Sequence, residues 1–197
     1  MDALACWGPY ERIESQAPPG LRSWLVEPGL LTARIRALCG ERMRFRMLAP
    51  LRHARLTPDL AARLGLEDRE CLLREIEFRC ARARVVFAQT VLPESTVRAF
   101  PWLGELGDSP IGESLRRAGA PLERDPLEFA ALPAHSVLAR AAAGVGRERT
   151  PGARARDPLL WARRAVYRLD GCPILVQEVF LPALLELQDA TLRGAAS

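Results

Sequence analysis

The sequence predicts a single domain of the α+β class, an antiparallel sheet with helices packed on it, over residues 1–197. Stretches in which apolar and polar residues alternate occur in pairs joined by short turns, which is typical of antiparallel hairpins. The helical signals gather in separate stretches and do not follow each strand, as they would beside a parallel sheet. With 49% hydrophobic and 26% charged residues, a chain of this length can bury a core of its own.

The elements of the first half begin and end at recognisable signals. Residues 21–39 are predicted to form two short helices that break at Pro28-Gly29. Residues 42–48 alternate between arginine and apolar side chains, which indicates a half-buried strand. Thr57 is placed to cap a helix that has proline in its first turn, and Gly65 is placed to end it.

The second half contains two predicted hairpins with a helix between them. Residues 71–79 and 84–92 form the first pair of strands, and a helix follows Ser109-Pro110. Residues 161–169 and 172–181 form the last hairpin, across an Asp-Gly pair that is a strong signal for a two-residue turn.

Three stretches lie outside these elements. Residues 1–20 are expected to be an N-terminal extension, and residues 188–197 a frayed tail. Residues 132–158 are rich in alanine, arginine and glycine, and we expect a mobile insertion there with a helix over residues 134–143.

The composition argues against several classes of function. The net charge is +4, and the 28 basic residues, all arginine, are interspersed with 24 acidic ones. Because no basic arm or helix-turn-helix signal stands out, no nucleic-acid partner is expected. The five cysteines are scattered without a CxxC pair, so no metal is expected. With neither a signal peptide nor an apolar run of about 20 residues, we expect a cytoplasmic protein that does not insert into membranes.

Two charged residues interrupt apolar faces of the predicted strands. In the strand over residues 71–79, Arg74 is the only charge on a face that every second residue otherwise makes apolar. In the strand over residues 172–181, Glu178 is the only ionisable side chain, and both faces are largely apolar. That strand is therefore predicted to lie in the centre of the sheet.

Burying an unpaired charge costs several kcal/mol or more, so the two residues need partners. One alternative is structural: Arg74 and Glu178 form a salt bridge with each other, or cap helices from beneath. The other is a closed pocket for an anionic ligand. There Arg74 binds a carboxylate through two parallel hydrogen bonds, and Glu178 handles a hydroxyl or a proton at the other end. The residue pattern alone does not choose between them.

The sequence around these charges resembles that of the chorismate lyase family. The matching segments occur in the family's order between about residues 24 and 183, and each is weak alone. They read CLLREIEFRC (71–80), VLPEST (91–96), LGDSPIG (106–112), RDPLE (124–128), LWARR (160–164) and PILVQEVFLPA (173–183), with shorter matches at 24–25 and 31–34.

The resemblance implies a monomeric carbon–oxygen lyase, a chorismate pyruvate-lyase whose product, 4-hydroxybenzoate, would enter ubiquinone synthesis. It implies a ligand site buried beneath two helical flaps, and neither a cofactor nor a metal. Arg74 falls on the family's arginine for the ring carboxylate, and Glu178 on the carboxylate at the far end of the ring. Leu31 and Ile111 fall on flap positions that close over the ligand.

One position departs from the family. Gln89 stands where an arginine is common, before the Thr-Val pair of the second strand. As a substrate-binding residue it would offer hydrogen bonds without a charge. Either Arg34, Arg163 or Arg164 then compensates for the missing charge, or turnover is slow. Alternatively, Gln89 forms a hydrogen bond in the core, and Arg163 and Arg164 are a solvated pair of charges.

Two other functions are compatible with the same fold. Effector-sensing domains of GntR-type regulators share it and bind small acids without turnover, but they normally follow a winged helix. Only about 20 residues precede Trp24, so none is expected here. The other is a divergent enzyme or a non-catalytic carrier of small acids, for which Gln89 would mark the altered ligand.

Overall fold

The computed structural model describes residues 6–144 and 159–195. Within these ranges an eight-stranded sheet, in which every neighbouring pair is antiparallel, carries helices on its faces. The predicted α+β class is therefore confirmed. None of the helices in the described part of the chain has the length and apolar character needed to cross a membrane.

The strands are joined in the order β1-β3-β4-β8-β7-β5, while β2 pairs with β3 and β6 pairs with β7. Their bounds are β1 (Met43–Met47), β2 (Arg52–Arg55), β3 (Glu70–Cys80), β4 (Ala83–Pro93), β5 (Leu122–Arg124), β6 (Glu128–Leu132), β7 (Leu160–Leu169) and β8 (Cys172–Phe180). Strand β8 lies between β4 and β7, so its predicted central position is confirmed.

The helices connect and cover these strands. Their bounds are α1 (Pro19–Leu25), α2 (Leu31–Cys39), α3 (Pro58–Leu64), α4 (Glu94–Ala99), α5 (Ile111–Arg117), α6 (Val137–Ala143) and α7 (Ala183–Ala195). Helices α1, α2 and α5 lie where the sequence predicts them.

The local signals act as the sequence indicates. The Thr57 hydroxyl accepts a hydrogen bond from the Leu60 N–H at 3.3 Å and starts α3, and Gly65 ends it with a φ of 71°. Asp170 and Gly171 both have positive φ, 49° and 78°. Two such residues make the turn whose twist suits a hairpin, so β7 and β8 pair directly.

The two ends of the chain are more ordered than predicted. Gly8 exchanges backbone hydrogen bonds with Phe129 of β6, and Ile13 and Ala17 are 5% and 2% exposed. Part of the predicted extension therefore packs into the core. Helix α7 extends into the tail that was predicted to fray from residue 188. It packs on the same core near its start, where Leu184 is fully buried, whereas residues 189–193 are exposed.

The predicted insertion is only partly described. Strand β6 ends at Leu132, and α6 begins at Val137, three residues later than predicted, because the Ser136 hydroxyl caps it by accepting from the Ala139 N–H at 3.2 Å. The predicted mobile loop falls largely on residues 145–158, which lie outside the described residues.

Candidate functional site

Strand register brings the two anomalous charges to one face of the sheet. Across β3, β4 and β8, Arg74 lies opposite Thr90, which lies opposite Val176. In the next row on the same face, Ala88 lies opposite Glu178, and Glu178 lies opposite Arg163 of β7. Arg74 and Glu178 are thus one row apart with β4 between their strands.

A narrow cavity of about 40 Å³ lies on this face. Its floor is the sheet, with Thr90, Arg163 and Glu178 among the polar residues exposed to it. Its roof comes from the first residues of two helices: Leu31 begins α2 and Ile111 begins α5, and both line the cavity. The structure therefore brings the two predicted flap residues over the predicted charges.

The two roof helices touch each other, so the cavity is covered from both sides. A β-carbon on Gly112 would lie 2.9 Å from Cδ2 of Leu30, the residue before α2, so the starts of the two helices lie close together. Farther along the same helices, an Arg36 Nη2 atom lies 3.1 Å from Glu113 Oε1. We call α2 and α5, with these contacts, the flaps.

Arg74 is 1% exposed and only half satisfied. Its Nη2 donates to the carbonyls of Gly107 at 2.7 Å and Ser109 at 2.6 Å, just before the second flap. Its Nε and Nη1 atoms are buried without a hydrogen-bond partner among the described residues. Burial lowers the pKa of Arg74 to about 10, against the charge of Asp108, which raises it. At neutral pH this is a buried cation with donors to spare, which a carboxylate would satisfy.

Arg74 lies behind the cavity wall and not on it. The wall includes Thr90, its cross-strand neighbour, and Pro110, which follows the carbonyl that Arg74 binds. A ligand carboxylate must therefore reach past these two residues to meet Nε and Nη1.

Glu178 has a different arginine as its partner. Arg163 Nε lies 2.6 Å from Glu178 Oε2, so the salt bridge that the sequence allowed between Arg74 and Glu178 does not form. Arg163 Nη1 also donates to main-chain carbonyls before the first flap, at 2.8 Å to Glu27 and 3.2 Å to Leu25. Arg163 thus orients Glu178 and connects it to the main chain just before α2.

The solvated pair predicted for Arg163 and Arg164 is wrong, because their side chains are only 4% and 14% exposed. Arg164 points to the other face, where its Nε lies 2.7 Å from Glu128. Arg34 stacks 4.1 Å from the centre of the Trp24 ring and pairs with Glu27. Of the three arginines considered as compensation for Gln89, only Arg163 lines the cavity.

Gln89 is not brought to this site. Because Ala88 and Thr90 face the cavity, alternation turns Gln89 to the opposite face of β4. There its Nε2 donates to Glu75 Oε1 at 2.8 Å, and its Oε1 accepts from Gln177 at 3.0 Å. Its predicted place among the substrate-binding residues therefore has to be corrected, and the alternative of a hydrogen bond in the core describes what it does.

Comparison with known proteins agrees with this geometry. A family model described as chorismate lyase matches residues 1–189. The chain is 41% identical over 173 residues to a probable chorismate pyruvate-lyase of Azoarcus sp. (strain BH72), covering 86% of this chain and 87% of that one. It is 35% identical over 172 residues to a probable chorismate pyruvate-lyase of Methylococcus capsulatus, covering 86% and 99%. This chain belongs to the chorismate lyase family.

The fold of this chorismate lyase family member is shared with bacterial regulators. The C-terminal domain of the histidine utilization repressor from Pseudomonas syringae pv. tomato has a TM-score of 0.53 at 11% identity, covering 72% of this chain and 93% of that chain. A GntR-family regulator from Bacillus cereus has a TM-score of 0.52 at 11% identity, covering 73% and 94%. At these identities the likeness shows the fold alone.

Sequence reasoning named Arg163 only as one of three compensating arginines, and it did not single out the other polar residues of the cavity wall, Thr32, Thr90 and Tyr167. Arg163 looked solvated because a second arginine follows it, and only the pairing of β7 with β8 reveals its contact with Glu178. Tyr167, also on the wall, gave no signal because tyrosine is an ordinary strand residue. In the described part of the chain, no three His, Cys, Asp or Glu side chains gather where they could hold a metal ion.

Proposed function

We propose that this protein is a chorismate lyase that eliminates pyruvate from chorismate and leaves 4-hydroxybenzoate. The observation that carries the proposal is Arg74, a buried guanidinium beside a roofed cavity, two of whose nitrogens have no partner among the residues that the structure describes. Glu178 lines that cavity on the same face of the sheet. Membership of the chorismate lyase family supports the same substrate.

The reaction needs no other reactant. The ring of chorismate is a cyclohexadiene. It carries an enolpyruvyl ether on C3 and a hydroxyl on C4. When the bond between C3 and the ether oxygen breaks and the hydrogen leaves C4, the ring becomes aromatic and keeps its hydroxyl. The departing enolpyruvate gains a proton on its methylene carbon and becomes pyruvate. Aromatisation supplies the driving force, so the protein has chiefly to position and to stabilise charge.

Each site residue has a place in this scheme. Arg74 would bind the ring carboxylate through the free N–H groups of Nε and Nη1. Glu178, oriented by Arg163, would lie at the C4 end, where it assists removal of the proton and then accepts a hydrogen bond from the product hydroxyl. Leu31 and Ile111 would close over the ring and exclude water, which strengthens both interactions.

We further propose that the enzyme acts as a monomer in the cytoplasm and that its product serves ubiquinone synthesis. One chain supplies the floor and the roof of the cavity, so no second copy is needed to complete it. Light scattering coupled to size-exclusion chromatography measures the mass directly. A stable dimer would contradict the monomer without affecting the proposed chemistry.

Purified protein incubated with chorismate tests the proposal. We expect equal amounts of 4-hydroxybenzoate and pyruvate. We expect Glu178→Gln to lower kcat by about 100-fold or more, the usual contribution of a positioned acid or base. Glu128→Gln is the matched control, because Glu128 also pairs with an arginine on β7 but on the opposite face, and we expect it to keep nearly full turnover.

Three results would count against the proposal. Absence of both products from the wild-type protein excludes lyase activity. If 4-hydroxybenzoate nevertheless binds tightly, the domain is a sensor or carrier of small acids. Equal losses of folding stability and turnover in Glu178→Gln would assign Glu178 to the framework.

A further inference from the structure

The Tyr167 hydroxyl on the cavity wall has no role in the proposed reaction as described so far. Tyr167 lines the cavity from β7, on the same face as Arg163. In the register of the sheet it lies between Ile174 of β8 and Arg124 of β5. Its position places a neutral donor at the edge of the cavity formed by β5 and β7, whereas Arg74 lies beyond the far side on β3.

Charged groups of both signs, Glu178 and Arg124, influence the Tyr167 hydroxyl. Burial raises the pKa of Tyr167, and the charge of Glu178 raises it further, whereas Arg124 lowers it, partly through a hydrogen bond. The phenol therefore stays protonated around neutral pH and has a carboxylate on one side and a guanidinium on the other. Arg124 also donates to the Pro28 carbonyl at 3.2 Å, in the connection that leads into the first flap.

Arg124 brings positive charge that the local acids leave available. Its neighbour Asp125 pairs with Arg168, with 3.6 Å between Asp125 Oδ2 and Arg168 Nη2. Arg163, the other cation on this side of the cavity, is balanced by Glu178 at 2.6 Å. Tyr167 and Arg124 together therefore offer a neutral donor and a cation at the edge opposite Arg74.

The proposed substrate has a group that suits this edge. Chorismate is a dianion, and its two carboxylates are on the ring and on the enolpyruvyl group. Arg74 can take the first. We propose that the Tyr167 hydroxyl and the Arg124 guanidinium bind the second carboxylate, the one that leaves with pyruvate. This inference rests on the proposed function and adds a residue pair that distinguishes the substrate from the aromatic product.

Tyr167→Phe tests the pair, since it removes the hydroxyl and keeps the ring. Loss of one hydrogen bond to a charged group is expected to raise KM for chorismate about 10-fold or more. The dissociation constant of 4-hydroxybenzoate is expected to stay within about 2-fold, because the product lacks the enolpyruvyl carboxylate. Arg124→Gln, at an exposed position where misfolding is not expected, should show the same split between substrate and product.

Tyr10→Phe is the matched control. The chain has only two tyrosines, and Tyr10 packs on Phe129, with 5.4 Å between ring centroids, away from the cavity. It should change neither constant. If Tyr167→Phe weakens both ligands equally, the hydroxyl contacts the ring end, and the inference is overturned. It is also overturned if neither constant changes.

The outcome can be read even if the proposed function fails. Should the wild-type protein form no 4-hydroxybenzoate from chorismate, both ligands can be titrated directly into the wild-type and Tyr167→Phe proteins. A loss of chorismate affinity alone then supports a site for the second carboxylate. Any other pattern overturns it, independently of the failed reaction.

Discussion

Two arginines on the cavity side of the sheet, Arg74 and Arg163, are equally buried but differ in what surrounds them. Arg163 pairs with Glu178 and donates to carbonyls at the root of the first flap. Arg74 has two carbonyl partners on one nitrogen, and its other two nitrogens have none in the described part of the chain. Among the described residues, the charge of Arg163 is therefore compensated, whereas that of Arg74 is not.

The contrast separates framework from function without reference to any relative. Burial of a charge is tolerated when its partners compensate for lost water, and Arg163 meets that condition. Arg74 does not meet it among the described residues, so its burial costs stability unless a further group binds Nε and Nη1. Substitution at each position should therefore affect a different property.

The largest effect is expected from Arg163→Met, which should lower the free energy of unfolding by about 3–5 kcal/mol. The change leaves Glu178 without its cation and removes donors from the carbonyls before α2. Urea denaturation measures it. Arg164→Met is the control and should cost less, because Glu128 keeps Arg63 at 2.8 Å when Arg164 is removed. Equal losses in the two variants would remove the distinction between the faces.

The next effect is on binding. Arg74→Met should weaken 4-hydroxybenzoate binding by about 2–5 kcal/mol, because it removes one partner of a buried charge pair. Its free energy of unfolding should change by less than about 1.5 kcal/mol, since the lost hydrogen bonds to Gly107 and Ser109 are offset by relief of two unmet donors. Calorimetric titration and urea denaturation give both numbers. An Arg74→Met protein as unstable as Arg163→Met would break the comparison between the two arginines.

The smallest effect is expected on the opposite face, at Gln89. Replacing it by leucine leaves Glu75 and Gln177 each without a partner, and should lower the free energy of unfolding by about 1–2 kcal/mol. Because Gln89 faces away from the cavity, KM for chorismate should stay within about 2-fold. Steady-state kinetics checks this. A KM increase of 10-fold or more would return Gln89 to the substrate-binding residues.

Much of the fold follows from local signals, and the parts that do not are short or polar. The hairpins, the Thr57 cap and the Asp170-Gly171 turn are encoded by neighbouring residues, so sequence reasoning finds them. Strand β2 has the sequence RHAR and is mostly exposed, so it lacks the alternation that reveals a strand. It forms because β3 offers it a partner, which is a tertiary effect.

The residues of the candidate site also fall into those that a single strand reveals and those that only strand pairing reveals. Arg74 and Glu178 are visible in the sequence because each is a charge on an apolar face, a contradiction within a single strand. The position of Arg163 and Tyr167 on the cavity follows only from the register of β7 with its neighbours, which no single strand contains. Gln89 shows the complementary error: the alternation was correct, but it could not tell which face of β4 borders the cavity.

The contact between the flaps has a consequence for exchange with solvent. A movement of one helix alone would separate Arg36 from Glu113 and draw Gly112 away from Leu30. Since the Arg36 side chain is 52% exposed, the pair lies where dissolved ions weaken it. We therefore expect any opening that separates the two helices to become faster as the ionic strength rises, because salt screens the ion pair that joins them.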